Sequence, residues 1–178
     1  MRNSYFGIKN TTPNTEIRNL SLLFFLSLHA MKNILVVCTG NICRSPTGEY
    51  LLKKELGEGF NVMSAGLGAL VDHPAHETSQ KIALEHGVDM SAHHARQINM
   101  DILKWADLIL VMENGHKQEI IRKYPWTEGK VFRYGESVQV DIPDPYRRPE
   151  SAFVLAWNFI SKLTPYWVKK IKESEGQA

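Results

Sequence analysis

Asn33-Ile34-Leu35-Val36-Val37 places four apolar side chains in a row, three of them β-branched. A strand with one wet face alternates polar and apolar residues, so an unbroken run suits a strand covered on both faces of a parallel sheet. Asp107 to Met112 (DLILVM) repeats the pattern, and Phe60 to Ser64 (FNVMS) and Val131 to Tyr134 (VFRY) are shorter candidates. Segments of helical length lie between them. Pro46 suits a first helical turn, with Glu49 near its positive end and a stop near Gly57 and Gly59. Further helices are expected over Ala75 to His86, closed by Gly87, and over Asn114 to Tyr124, stopped by Pro125. A last helix from Glu150 to about Lys172 carries the apolar face Phe153, Ala156, Trp157, Ile160, Leu163 and Trp167. This alternation predicts an α/β fold: one parallel β-sheet of about four strands, flanked by helices on both faces.

A chain of 178 residues suits one domain, expected over residues 31–174 with a short tail over 175–178. The formal charge of +2, from 21 basic and 19 acidic residues, gives no strongly basic face for nucleic acid. Two cysteines exclude a disulfide scaffold and a four-cysteine zinc site, and no histidine pair stands at a ligand spacing. Neither a metal nor a cofactor is expected. Residues 1–30 differ in character. MRNSYFGIKNTTPNTEIRNL is polar, and SLLFFLSLHA has about the length of a signal-peptide core. An extension upstream of a natural start at Met31 is favoured over a targeting segment or an extra helix. MKNILVVC from Met31 opens like a cytoplasmic α/β domain, and no apolar run reaches the ~20 residues of a membrane span.

The chemistry concentrates where the first strand ends, at VVCTGNICRSP from Val36 to Pro46. Ligands of open α/β sheets sit beyond the carboxyl ends of the strands. Successive backbone N–H groups curled around Gly40 and leading into a helix N-terminus form a cradle for a tetrahedral oxyanion. Arg44 adds a planar fork that can hold two phosphate oxygens, and Cys38 lies at the base of the same cradle. Helix N-termini and nearby cations lower a thiol pKa from about 8.5 to about 3.5–7.5, so such a cradle favours the thiolate. Ser45 can reach back to the sulfur. Covalent attack on phosphorus is then plausible.

Such a route also needs a proton for the leaving oxygen. DIPDPY, from Asp141 to Tyr146, offers two carboxyls. Asp144 is preferred, because prolines on both sides hold its backbone out of helix and an aromatic follows it.

These residues resemble the low-molecular-weight protein tyrosine phosphatases. The resemblance runs from Lys32 to the final helix, through CTGNICRSP, SAG at Ser64 to Gly66, HHARQI at His93 to Ile98, DLILVME at Asp107 to Glu113, and DPY at Asp144 to Tyr146. SAGLGALV and IPDPYR are most similar to the bacterial branch associated with exopolysaccharide export, whose partners are autophosphorylating tyrosine kinases. The resemblance implies Cys38 as nucleophile, Arg44 as phosphate clamp, and Asp144 as acid and then base. It implies a phosphate-binding loop of Thr39, Gly40, Asn41, Ile42 and Cys43, supported by Ser45, Ser64 and His93. His94 is expected in solvent, and His73, His76, His86 and His116 at the surface. Tyr146 and Leu70 are expected to shape the substrate slot, made less aromatic by Arg147 where eukaryotic relatives carry an aromatic. Gly48 stands in place of the usual alanine, a cost of up to ~1 kcal/mol in helix propensity. Cys38 and Cys43 are expected to form a reversible redox pair.

The resemblance thus implies a cysteine-dependent, metal-independent hydrolase acting on a phosphotyrosine protein. Phosphoarginine phosphatases on the same scaffold carry threonine at the position of Ile42. Arsenate reductases of this fold need further cysteines, and none follows Cys43. A silent phosphate-binding module would not require Cys38, Arg44 and Asp144 together.

Overall fold

The computed structural model describes residues 30–176. The expected amino-terminal extension, Ala30 apart, and the last two residues of the tail lie outside them.

Four parallel strands form one sheet in the order β2-β1-β3-β4: β1 (Asn33–Cys38), β2 (Asn61–Gly66), β3 (Leu108–Val111) and β4 (Val131–Arg133). Ile34, Leu35, Val36 and Val37 are all 0 % exposed, as an unbroken apolar run in a central strand requires. Their side chains alternate between two cores. Ile34, Val36 and Cys38 face the layer of α1 (Arg44–Leu56), α2 (Glu77–Glu85) and α5 (Glu150–Glu175). Leu35 and Val37 face α3 (Met100–Trp105) and α4 (Asn114–Lys123). This parity decides where the cysteine goes: Cys38 emerges at the carboxyl end of β1 on the same side as α1, the helix its own loop runs into.

The expected apolar face of α5 is buried, and Ile171 extends it to one turn beyond Trp167. Trp167 Nε1–H donates to the Tyr134 carbonyl at 2.7 Å, and the Tyr134 hydroxyl pairs with Thr164 Oγ1 at 2.7 Å. Each large apolar side chain removed from water here contributes about 1.5–3 kcal/mol.

Four local expectations change. The six-residue helix α3 was not foreseen; six residues are too few for a helical period, but Asn99 caps it by accepting the Ile102 N–H at 2.9 Å. Strand β2 continues through Ala65 to Gly66, which pairs with Cys38. A side chain at Gly66 would collide with the Thr39 carbonyl, so glycine is what lets β2 lie against the loop. Helix α1 begins at Arg44, so Glu49, expected near its positive end, lies beyond the first turn and is buried. Gly48 does more than lower helix propensity. A Cβ there would stand 3.0 Å from Val36 Cγ1 and 3.1 Å from the Tyr134 ring, so α1 packs closely on the sheet at this point.

Candidate active site

The loop leaves β1 at Cys38 and enters α1 at Arg44. Cys43 caps the helix without a side-chain hydrogen bond, and no acidic residue occupies the first turn. No carboxylate of its own first turn offsets the positive end of α1, which faces the loop. Asn41 makes the sharp reversal with φ of 56°, a left-handed conformation that asparagine tolerates better than most residues.

Asn41 is also the hub of a buried network. Its Oδ1 accepts the Arg96 backbone N–H at 2.8 Å, which fixes the amide orientation. Its Nδ2 donates to Ser45 Oγ and to Ser64 Oγ, both at 2.8 Å. Ser64 in turn donates to Glu49 Oε2 at 2.5 Å, and Lys53 pairs with Glu49 Oε1. His93 Nε2–H donates to the Asn41 carbonyl at 2.8 Å, with Nδ1 3.8 Å from Glu49. Burial lowers the His93 pKa, against the opposing pull of the Asn41 carbonyl and Glu49. Because Ser45 Oγ already accepts from Asn41, its own hydrogen is free for Cys38 Sγ, 3.0 Å away. The network thus aims a hydroxyl donor at the sulfur. Asn41→Ala should destabilise the fold by about 3 kcal/mol through orphaned partners and a strained αL alanine. Urea unfolding checks this; a loss below the error of the fit contradicts it.

Arg44 is 2 % exposed, and its guanidinium is held from three sides. Nη1 donates to the Ile142 carbonyl at 2.9 Å and to the Glu113 carboxylate, while Nη2 lies 3.1 Å from Asp144 Oδ2. Glu113 stands just past the end of β3. The loop bearing Asp144 is tied to the same edge, because Ile142 N–H donates to the Met112 carbonyl at 2.8 Å. Asp144 Oδ1 accepts the Tyr146 N–H at 3.2 Å, and its side chain remains about half exposed (46 %). Asp141, the rival carboxyl, accepts the Asn114 N–H at 3.0 Å at the start of α4 and pairs with Arg133. It caps a helix, away from the sulfur.

A pocket of about 270 Å³ opens over the loop, with Cys38, Arg44 and Asp144 in one lining. Ile42 (8 % exposed) and Leu70 (38 %) are apolar parts of its wall. Tyr146, 41 % exposed, stands at the rim with Arg147, whose guanidinium lies 5.3 Å from the tyrosine ring centroid. The rim therefore pairs one aromatic with a cation. Cys43 also reaches this wall, and both cysteines are free. Burial, reinforced by the negative charges of Cys38 and Asp144, pushes the Cys43 pKa up to about 12, which keeps it a thiol at neutral pH.

Other expected residues fall elsewhere. His73, His86 and His94 are exposed and His76 is half-buried. His116 is the exception: it is 7 % exposed, not at the surface. Three further residues of the site carried no assigned role in the sequence reading: Glu113, His116 and the backbone N–H of Arg96. An acid directly after a buried strand, on the loop side of the sheet, is the signal that marks Glu113. Among the described residues no group of three histidines, cysteines or acids is placed to hold a metal ion. No helix among them is long and apolar enough to cross a membrane.

Comparison with known proteins gives a consistent result. The family model "Low molecular weight phosphotyrosine protein phosphatase" matches residues 33–177. The relative named "Probable low molecular weight protein-tyrosine-phosphatase EpsP" of Ralstonia nicotianae is 46 % identical over 142 residues, 80 % of this chain and 97 % of that protein. The structure of Vibrio vulnificus Wzb in complex with benzylphosphonate is 42 % identical, with a TM-score of 0.75 over 79 % of this chain and 99 % of that one. The YwlE arginine phosphatase of Geobacillus stearothermophilus is 30 % identical, with a TM-score of 0.77 over 82 % of this chain and 96 % of that one. The matched span begins on β1 and takes in the loop, the acids around it and all of α5. The chain belongs to the low molecular weight phosphotyrosine protein phosphatase family.

Proposed function

We propose that the protein hydrolyses phosphotyrosine through a cysteinyl-phosphate intermediate formed on Cys38. The observation that carries this reading is the common pocket of Cys38, Arg44 and Asp144, with the two charged groups 3.1 Å apart. The phosphoryl oxygens take the backbone N–H groups of Thr39 to Arg44 and the guanidinium fork. The Cys38 sulfur, receiving the Ser45 hydroxyl, attacks phosphorus. The bond to the phenolic oxygen breaks, and Asp144 gives that oxygen its proton. Water then attacks the thiophosphate, Asp144 takes a proton from it, and the sulfur leaves with inorganic phosphate in the pocket. Glu113 and the Ile142 carbonyl hold Arg44 in place through Nη1 while Nη2 turns from Asp144 to the anion.

Ile42, Leu70 and Tyr146 suit a phenyl ring. The benzylphosphonate held by the Vibrio vulnificus protein, an aryl group one atom from phosphorus, supports the same ligand shape. The similarity to an arginine phosphatase favours a second reading, phosphoarginine hydrolysis. Isoleucine at position 42, where the arginine-specific relatives carry threonine, favours tyrosine. Initial rates on phosphotyrosyl and phosphoarginyl peptides, measured with chelator present, decide between them. Faster turnover of phosphotyrosine is expected; a preference for phosphoarginine overturns the reading. The physiological substrate we infer is an autophosphorylating tyrosine kinase of exopolysaccharide export, met in the cytoplasm. Loss of the phosphatase gene should then raise the kinase's phosphotyrosine content, and an unchanged level removes that partner.

Cys43 is proposed to guard the nucleophile. Peroxide oxidises the Cys38 thiolate to a sulfenic acid, and the Cys43 thiol displaces water to form a disulfide. Peroxide-inactivated protein should recover activity with dithiothreitol and show a Cys38–Cys43 linkage by mass spectrometry. Irreversible loss with no such linkage contradicts the pairing.

A further inference from the structure

His116 lies in the first turn of α4, buried beside the pocket. Its Nε2 is 3.0 Å from Thr39 Oγ1 and 3.8 Å from Glu113 Oε1. Its enclosed Nδ1 meets no hydrogen-bond partner among the described residues. These surroundings assign the tautomer. A neutral imidazole carries one hydrogen. On Nδ1 it would be a buried donor with nothing to receive it, which costs the desolvation of that group. On Nε2 it meets a hydroxyl oxygen and points towards a carboxylate. Burial keeps the ring neutral, although Glu113 pulls the other way. Nε2–H therefore donates to Thr39 Oγ1.

The consequence falls on Thr39. A hydroxyl that accepts from His116 must direct its single hydrogen elsewhere, and Thr39 is exposed in the pocket lining directly after Cys38. We propose that His116 orients the Thr39 hydroxyl as a side-chain donor to the bound phosphoryl group, in addition to the backbone donors of the loop. This rests on the phosphatase reading above for the identity of the anion. Thr39 is then a binding residue and His116 a positioning residue. The competing role for His116 is support of Glu113 and, through it, of Arg44. The two roles separate in a double variant: a histidine that acts only through the Thr39 hydroxyl adds nothing once that hydroxyl is gone, whereas a displaced clamp adds its own loss.

The test is steady-state kinetics on p-nitrophenyl phosphate, with inorganic phosphate as competitive inhibitor. Thr39→Val should raise KM and the phosphate inhibition constant together, by about tenfold for one lost bond to a charged group. The kcat should stay within about twofold. Thr39→Ser should resemble the wild type. His116→Leu should reproduce the Thr39→Val effect, and His116→Gln, whose Nε2 can reach the same oxygen, should recover most of it. The double variant Thr39→Val with His116→Leu should be no weaker than Thr39→Val alone. Wild-type phosphate inhibition in Thr39→Val overturns the proposal. So does an additive double variant, or a His116→Leu that loses kcat while binding phosphate normally. Should His116→Leu not fold, the Thr39→Ser and Thr39→Val pair with His116→Gln still decides. Calorimetric titration of inorganic phosphate into the same proteins reads the donor without turnover. A wild type that binds phosphate yet hydrolyses nothing overturns the phosphatase reading, while the Thr39→Val titration still decides this one.

Discussion

Cys38→Ser should abolish turnover of p-nitrophenyl phosphate, by at least about 10⁴-fold in kcat, as loss of a covalent nucleophile does. The physical reason is local. The sulfur stands beside the N-terminus of α1 and receives the Ser45 hydroxyl. A serine hydroxyl at the same place holds its proton far more tightly than a thiol, so it offers no comparable nucleophile at neutral pH. The cradle itself is untouched, because the backbone amides, Arg44 and the Asn41 network do not depend on the sulfur. Phosphate should therefore still bind Cys38→Ser, measured by calorimetry. Activity near the wild-type level would mean that the nucleophile lies elsewhere.

Asp144→Asn should lower kcat on phosphotyrosine by about 10²–10⁴-fold, the usual contribution of a positioned general acid. The size of the loss should depend on the leaving group. A tyrosine phenolate, with a pKa of about 10, needs the proton as it departs. The more acidic p-nitrophenol needs it less, so the step that forms the phosphoenzyme should suffer less on that substrate. Release of the second product still requires Asp144 to activate water, and the phosphoenzyme should accumulate. Asp141→Asn is the internal control: its carboxylate caps α4 and pairs with Arg133, so it should lower stability more than rate. An equal loss of rate in both variants would contradict the assignment. Thermal unfolding alongside the kinetics separates the two effects.

The elements that run through the core were legible because their patterns are long. The apolar run of β1 and the spaced aromatics of α5 each repeat a burial signal over several residues, and both lie where that signal puts them. Strand order was not legible, since register between distant segments is decided by packing. Helix α3 escaped because six residues hold less than two turns. The loop at Cys38 and Arg44 was readable because its chemistry is local, packed between one strand and one helix. The preference for Asp144 over Asp141 came from the two prolines and the aromatic that follows; in the fold Asp144 lies 3.1 Å from Arg44, and Asp141 accepts the first N–H of α4.

The residues that were missed act across the fold. Glu113 reaches Arg44 from the end of a different strand, and His116 reaches Thr39 over 77 positions of sequence. Glu49 looked like a partner of the helix dipole; in the folded chain it receives the Ser64 hydroxyl beneath the loop. A sequence shows which side chains can carry charge or donate hydrogen. It does not show which distant partner each will meet, and at this site that pairing decides whether a histidine is solvated or aims a hydroxyl at the substrate.

Mass spectrometry of acid-quenched Asp144→Asn during turnover of p-nitrophenyl phosphate, whose leaving group departs without the acid, tests the covalent step directly. The predicted result is a phosphoryl adduct on the peptide containing Cys38, assigned to that sulfur and absent from Cys38→Ser. A protein that turns over substrate with no adduct on Cys38, or with the phosphoryl group on another residue, would contradict it.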